Sequence, residues 1–172
     1  DPGTDVNPSY LEVSFSNACN FACAYCSPEI SSKWMEDIKQ NGPYPTGNGL
    51  HKHVYKNNEK NPYVDAFWEW FPTIVRDLRV LRITGGEPTM SKDTWRLLDF
   101  LIDKPQKFEV AINTNLGVPD QLIDKLIDKI NALEAVGMKV DVYTSAEATD
   151  DQQNYARDGM DYAVWMQNVA RI

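Results

Sequence analysis

Residues 19–26 read Cys19-Asn20-Phe21-Ala22-Cys23-Ala24-Tyr25-Cys26 and contain all three cysteines of the chain. This spacing lets one short loop present three thiolates to a single soft metal centre. An iron–sulfur cluster normally takes four cysteines, and this sequence contains no fourth. Either another group completes the site, or one iron stays open to a ligand from outside. The second alternative predicts a place where a small molecule binds and reacts.

The cysteine spacing and a second motif together resemble the radical S-adenosylmethionine (SAM) enzymes. Their signature is Cys-x3-Cys-x-aromatic-Cys, with Tyr25 as the aromatic here, and their Gly-Gly-Glu-Pro motif is matched at residues 85–88. The resemblance implies that Cys19, Cys23 and Cys26 hold a [4Fe-4S] cluster whose open iron binds SAM. One electron then cleaves SAM to methionine and a 5′-deoxyadenosyl radical, which abstracts hydrogen from a substrate. It also implies a one-electron donor such as flavodoxin or ferredoxin.

Length and composition fit one soluble domain with a real core. The chain has 172 residues, of which 42% are hydrophobic and 24% charged, ordinary values for a globular protein. A net charge of −8 argues against a nucleic-acid partner, and the sequence shows no apolar run long enough to cross a membrane. Three clustered cysteines do not indicate a disulfide framework, and they fit a reducing cytoplasm.

Strands alternate with helices four times along the chain. Period-two alternation predicts strands at 10–16, 80–84, 108–113 and 139–144. Three-four spacing predicts helices at 31–39, 64–78, 91–103, from Pro119 to about 133, and from Asp151 onward, with Pro72 expected to kink the second or to leave one backbone bond unmade. This order predicts parallel βαβ units with right-handed crossovers.

The predicted fold class is therefore α/β, as a partial parallel (βα) barrel. The radical SAM fold that the chain resembles is a partial barrel of six units, of which about four are present. We expect residues 1–172 to form one core domain that is truncated at the C-terminus. Residues 41–62 form a long loop insertion within it. This loop is either a lid or a surface insertion, and its His51 and His53 are either ligands or solvated side chains.

The unusual polar clusters all follow the carboxyl ends of the predicted strands, where parallel α/β folds place their chemistry. The first strand leads to the cysteines. The later strands lead to Gly85, Gly86 and Glu87, to Asn113 and Asn115, and to Ser145 and Glu147. Because the carboxyl ends of parallel strands meet at one rim, we expect these residues to lie together.

The resemblance implies a role for each rim residue. Tyr25 lies beside the adenine of SAM, and Phe21 shields the cluster from water. The SAM amino group lies against Gly85 and Gly86, with Glu87 as the acceptor for the ammonium. Ribose and carboxylate contacts come from Asn113, Asn115, Ser145 and Glu147. One departure stands out, because the family's Thr-Asn-Gly is Thr114-Asn115-Leu116-Gly117 here.

The alternation also predicts an apolar strand face covered by helices and a polar face that either lines a cavity or is solvated because the sheet is left uncovered. Because a charge in such a cavity needs a partner, we expect Arg82 to be bracketed by some of Glu12, Glu109 and Asp141.

Two substrate classes and one alternative to catalysis stay open. General likeness favours the branch that modifies peptides or proteins and carries further cysteine clusters in a C-terminal extension (SPASM or twitch type). The alternative substrate is a small nucleoside-like molecule such as a deazapurine. A non-catalytic iron–sulfur or zinc-binding module explains the cysteines but leaves the glycine turn and the common rim unexplained.

Overall fold

The computed structural model describes residues 6–42 and 61–172. Its strands are β1 (Tyr10–Ser14), β2 (Ala22–Cys23), β3 (Val80–Thr84), β4 (Glu109–Asn113), β5 (Lys139–Tyr143) and β6 (Arg157–Asp158). Its helices are α1 (Ser32–Asn41), α2 (Pro62–Ile74), α3 (Lys92–Asp103), α4 (Asp120–Ala135), α5 (Asp150–Ala156) and α6 (Tyr162–Val169). Most of the predicted 41–62 loop, including His51 and His53, lies outside the described residues.

Four strands form one parallel sheet in the order β1-β3-β4-β5. Each neighbouring pair is parallel, and Leu11, Leu81, Val110 and Val140 lie side by side across the sheet. A helix connects each strand to the next, so the described residues form the parallel α/β arrangement of a partial βα barrel, as predicted. Among these residues, no helix combines the length and apolarity needed to span a bilayer.

The core lies between one face of the sheet and the helices that cover it. Leu81, Ile83, Val110 and Ile112 project from β3 and β4 on this face and are completely buried. Buried leucines of α3 (Leu97, Leu98, Leu101) and apolar residues of α4 (Ile123, Leu126, Leu133) belong to the same cluster. The period-two alternation of the strands identified this face, because successive side chains of a strand point to opposite sides.

The second helix differs from the prediction at its end. The helix α2 continues past Pro72, and a short 3-10 helix at Val75–Asp77 replaces its predicted last turn. Pro72 is exposed, so the backbone bond that it cannot make is lost on the solvent side. The aromatic residues of this helix pack in the core, with Phe67 and Phe71 stacked at 4.8 Å between ring centroids.

The last segment of the chain is two helices, whereas one was predicted. Residues Arg157–Asp158 form β6 between α5 and α6, and β6 pairs antiparallel with β2 in the cysteine loop. Gly159 has a φ of +97°, a conformation that glycine adopts readily. Asp161 then caps α6 by accepting a hydrogen bond from the Val164 N–H at 3.1 Å. The chain therefore turns at Gly159 after β6, and the Asp161 cap starts a second helix.

The prediction for Arg82 was wrong in its partners. Among the described residues, none of the three expected carboxylates pairs with it. Its Nη1 donates to Asn113 Oδ1 at 2.8 Å, and its guanidinium lies 4.7 Å from the centroid of the Tyr143 ring. A side-chain amide and an aromatic face therefore take the positions that carboxylates were expected to fill.

Those carboxylates have other partners. Lys139 Nζ lies 2.9 Å from Glu109 Oε2 and 2.8 Å from Asp141 Oδ2. Glu109 is the register neighbour of Lys139 on the adjacent strand, and Asp141 lies two residues further on the same face, so both are within reach. Glu12 accepts a hydrogen bond from Thr84 Oγ1 at 3.2 Å. The polar face of the sheet is thus an ordered network.

Candidate metal centre and cofactor site

The glycine turn after β3 contacts the chain immediately before Cys19. The Gly86 N–H donates to the Ser16 carbonyl at 3.1 Å, and the Glu87 N–H donates to the Ala18 carbonyl at 2.7 Å. These backbone bonds continue the pairing of β1 with β3 beyond the ends of both strands. The Gly-Gly-Glu-Pro motif and the cysteine loop therefore share one rim of the sheet, as the strand order predicted.

Both glycines of this turn are required by close backbone approach. A Cβ atom on Gly85 would lie 2.7 Å from the Ser16 carbonyl oxygen, and Gly85 has a φ of +138°. A Cβ on Gly86 would lie 2.5 Å from the Ala18 carbonyl oxygen and 2.6 Å from that of Asn17. A side chain at either position would push the turn away from the cysteine loop.

The helix α1, which follows the cysteine loop, anchors the loop backbone. The buried Ser31 hydroxyl donates to the Phe21 carbonyl at 2.7 Å. The Cys19 N–H donates to Ser32 Oγ at 3.0 Å, and Trp34 Nε1 donates to the Cys23 carbonyl at 2.9 Å. Three side chains at the start of one helix thus fix the loop at several backbone positions.

Phe21 fills the space beneath the loop. Its side chain is 1% exposed, and a Cβ atom on Gly117 would come within 2.1 Å of its ring. Gly117 follows Leu116, which is buried and has a φ of +52°. Gly117 therefore leaves the room that the Phe21 ring occupies, while Leu116, which stands where the Thr-Asn-Gly pattern has glycine, adopts a positive φ that glycine adopts more readily.

Among the three cysteines, Cys23 is buried and the other two are half-buried, which disfavours the bare thiolate form of all three. Burial raises the pKa of each thiol. The Arg157 guanidinium opposes this effect on the pKa of Cys23 and Cys26. Among residues 6–42 and 61–172, no three ligand-type side chains converge on one metal ion. A four-iron cluster attaches each thiolate to a different iron, so its ligands need not converge on one point. The donor set and its partly dry surroundings fit such a cluster.

Glu87 is buried beneath the rim, with 1% of the residue exposed. Its Oε1 accepts hydrogen bonds from the Thr89 N–H (3.0 Å), the Thr89 hydroxyl (2.8 Å) and the Thr114 hydroxyl (2.8 Å). Its Oε2 accepts from the Asn115 N–H at 2.7 Å. Burial raises the pKa of the Glu87 carboxyl, and these hydrogen bonds oppose the rise. The carboxylate joins the segments that follow β3 and β4, a role that sequence reasoning missed.

The other predicted rim residues occupy different depths. Asn115 is buried, and its Nδ2 donates to Asn20 Oδ1 at 2.9 Å inside the cysteine loop. Asn113 lies on the polar face of the sheet and accepts from Arg82. Ser145 is exposed beyond the end of β5. Asn115 is therefore integrated with the cysteine loop, whereas Ser145 lies open at the rim.

Glu147 reaches the cysteine loop through Tyr25 and an arginine that sequence reasoning missed. Its Oε1 accepts from the Tyr25 hydroxyl at 2.8 Å. Arg157 donates to both carboxylate oxygens, from Nε at 2.7 Å and from Nη2 at 2.9 Å. This pair lowers the pKa of Glu147 to about 2. Gln153, also missed, accepts from the Glu147 N–H and donates to the carboxylate. Both missed residues lie in a segment that the sequence predicted as helix.

Comparison with known proteins agrees with this geometry. The sequence model of the family described as "Radical SAM superfamily" matches residues 13–172. GTP 3′,8-cyclase of Aliarcobacter butzleri (strain RM4018) is 28% identical over 139 residues, which cover 81% of this chain and 36% of that protein. "Molybdenum cofactor biosynthesis protein moc-5" of Caenorhabditis elegans is 27% identical over 161 residues, which cover 91% of this chain and 22% of that protein.

A GTP 3′,8-cyclase of Campylobacter jejuni subsp. doylei is 30% identical over 111 residues, which cover 64% of this chain and 28% of that protein. The chain thus spans about a third or less of the length of these relatives. No solved structure matches the chain.

Proposed function

Because this chain belongs to the radical SAM superfamily, we propose that Cys19, Cys23 and Cys26 hold a [4Fe-4S] cluster and that SAM binds beside it. When bound, this cluster supplies the electron that cleaves SAM to a 5′-deoxyadenosyl radical. The observation that carries the proposal is the contact between the glycine turn and the cysteine loop, with the Glu87 N–H 2.7 Å from the Ala18 carbonyl. A non-catalytic metal module gives no reason for that contact.

The proposed SAM contacts follow from the backbone and side-chain groups that each rim residue exposes. Gly85 and Gly86 expose backbone to which the amino group of SAM can come close. Glu87 supports this turn from below, since its carboxylate already accepts four hydrogen bonds from the protein. Tyr25 is 61% exposed, and its ring is proposed to lie beside the adenine.

The polar contacts to ribose and carboxylate are proposed to come from Asn113, Asn115, Ser145 and Glu147. Glu147 is held as an anion by Arg157, and a carboxylate fixed in this way is a strong acceptor. Its carboxylate already accepts four hydrogen bonds from the protein, as that of Glu87 does, so a ribose hydroxyl would bind it in place of the hydroxyl of the exposed Tyr25.

For the substrate, we propose a nucleoside- or nucleotide-like small molecule in preference to a peptide. Two of the relatives described above are named for GTP, and none of the three is named for a peptide. The polar face of the sheet supports this class, because Arg82 stacks on Tyr143 and is free of carboxylate partners among the described residues. The peptide-modifying SPASM or twitch branch favoured by sequence analysis therefore becomes the second choice.

An electron donor and a reducing compartment complete the proposal. The electron comes from a small one-electron donor of the flavodoxin or ferredoxin kind. The thiols must stay reduced before the cluster is inserted, so a reducing compartment such as the cytoplasm suits them.

Anaerobic reconstitution tests the proposal. The chain should take up about four irons, and with dithionite and SAM it should yield 5′-deoxyadenosine, measured by chromatography and mass spectrometry. Cys23→Ala should lose both properties, whereas Ser27→Ala, a change in the same loop, should keep them. A colourless protein that holds one zinc, or a loaded protein that leaves SAM intact, contradicts the proposal.

A further inference from the structure

The second half of the chain is attached directly to the cysteine loop. The strand β6 pairs with β2, so that Arg157 lies opposite Cys23 and Asp158 opposite Ala22. The Ala24 N–H donates to the Ala156 carbonyl at 2.9 Å. Gly159 lies so close that a Cβ atom there would be 2.8 Å from the Asn20 carbonyl oxygen. The segment from residue 156 to 159 therefore forms one wall of the loop.

Arg157 places a buried positive charge in this wall. The residue is 6% exposed, and its guanidinium carbon lies 5.6 Å from the centroid of the Tyr25 ring. Tyr25 lies between Cys23 and Cys26 in the sequence. The guanidinium is fixed by two hydrogen bonds to Glu147. A forked pair of this kind holds both charges in one geometry.

Glu147 is fixed in turn by residues of the cysteine loop and of α5. It accepts from the Tyr25 hydroxyl in the cysteine loop and from Gln153 Nε2 in α5. The Gln153 side chain is buried, and its Oε1 accepts the N–H groups of Glu147 and Ala148, each at 2.8 Å. The pair of charges is thus built into the fold.

We propose that Arg157 and Glu147 together set the reduction potential of the cluster held by the cysteine loop. Arg157 supplies a positive charge beside the loop, and Glu147 supplies the negative charge that partly neutralises it. The inference rests on the proposed function, because it concerns the cluster proposed for Cys19, Cys23 and Cys26. In the couple concerned, the 2+ cluster core gains one electron from dithionite and becomes 1+. A positive charge beside the loop favours the state with the extra electron, and a negative charge disfavours it.

The two halves of the pair therefore make opposite predictions. Removing Arg157 leaves the Glu147 carboxylate without its cation, which should shift the reduction potential to a more negative value. Removing the Glu147 charge leaves Arg157 unneutralised, which should shift the potential to a more positive value. A role limited to holding the loop in shape predicts no such reversal of sign.

The test is a redox titration of the reconstituted chain, followed by the electron paramagnetic resonance signal of the reduced cluster. Arg157→Gln should shift the midpoint to more negative values and Glu147→Gln to more positive values. Arg157→Lys keeps the charge and should stay closer to the wild-type midpoint than Arg157→Gln. Arg171→Gln is the matched control, because Arg171 pairs with Asp120 and Asp124 on the exposed surface, and it should leave the midpoint unchanged.

Shifts of the same sign in the two glutamine variants, or no shift in either, overturn the inference. If Arg157→Gln cannot be loaded, Glu147→Gln decides, and the absence of a positive shift there refutes it. A wild-type chain that takes up no four-iron cluster contradicts the proposed function instead, so the two failures are distinguishable.

Discussion

Replacing Glu87 with glutamine tests the buried network beneath the rim. Three of its four hydrogen bonds end on Oε1 and one, from the Asn115 N–H, ends on Oε2. A glutamine can keep its carbonyl oxygen towards Thr89 and Thr114. Its amide NH₂ group then faces the Asn115 N–H, so two donors meet and a buried N–H loses its acceptor.

The expected loss of stability follows from this count. A buried donor left without an acceptor costs about 1–3 kcal/mol. The three remaining bonds also weaken when their acceptor becomes neutral, while relief of the buried charge offsets part of the loss. We expect Glu87→Gln to lower the free energy of unfolding by about 1–3 kcal/mol, which lowers the melting temperature by roughly 2–12 °C for a domain of this size.

The assay is urea and thermal unfolding of the cluster-free chain, followed by circular dichroism. Glu134→Gln, at an exposed position in α4, is the matched control and should change stability by no more than about 0.5 kcal/mol. If Glu87→Gln is as stable as the wild type or more stable, burial of the charge outweighs its hydrogen bonds, and the reasoning is refuted.

Two further predictions concern the loop and its charges. Gly117→Ala should destabilise the chain by about 1–3 kcal/mol or more, because its Cβ would overlap the buried Phe21 ring. Gly137→Ala is the comparison variant, because Gly137 has a φ of +85° and open space around it, and it should cost about 1–2 kcal/mol of backbone strain. Equal stability of the wild type and Gly117→Ala in urea would contradict the packing of Phe21 against Gly117. The third prediction uses the pKa of Glu147, which Arg157 lowers from 4.5 to about 2. The folded state therefore binds this proton less readily, and stability present above pH 4.5 is lost as pH falls towards 2. Between pH 5 and pH 3 the urea midpoint of Glu147→Gln should therefore fall less than that of the wild type. If the two midpoints fall in parallel with pH, the result contradicts a stabilising ion pair.

The sequence predicted those features that depend on short-range patterns. The boundaries of β3 agree because Leu81 and Ile83 alternate with Arg82 and Thr84, and two glycines follow the strand. The shared rim was predictable because parallel strands leave only one edge for the residues that follow them. The same logic identified the buried face of the sheet, and the cysteine and glycine motifs pointed to the superfamily.

The contacts between distant segments were not predictable. The strands β2 and β6 have two residues each, too few to show any periodicity. Arg157 looks like a solvated helix residue in the sequence, and only its position opposite Cys23 makes it part of the site. The predicted partners of Arg82 failed for a related reason. A register of four strands offers several charge pairings, and the reach of each side chain decides among them.

The pairing of β2 with β6 also imposes an order of events during synthesis. Arg157 leaves the ribosome about 130 residues after Cys23, an interval on the order of 10 s at ordinary translation rates. Throughout that interval the nascent thiols lack the wall that residues 156–159 form around them. If the proposed cluster enters the loop only when this wall is in place, its insertion follows translation of the second half of the domain.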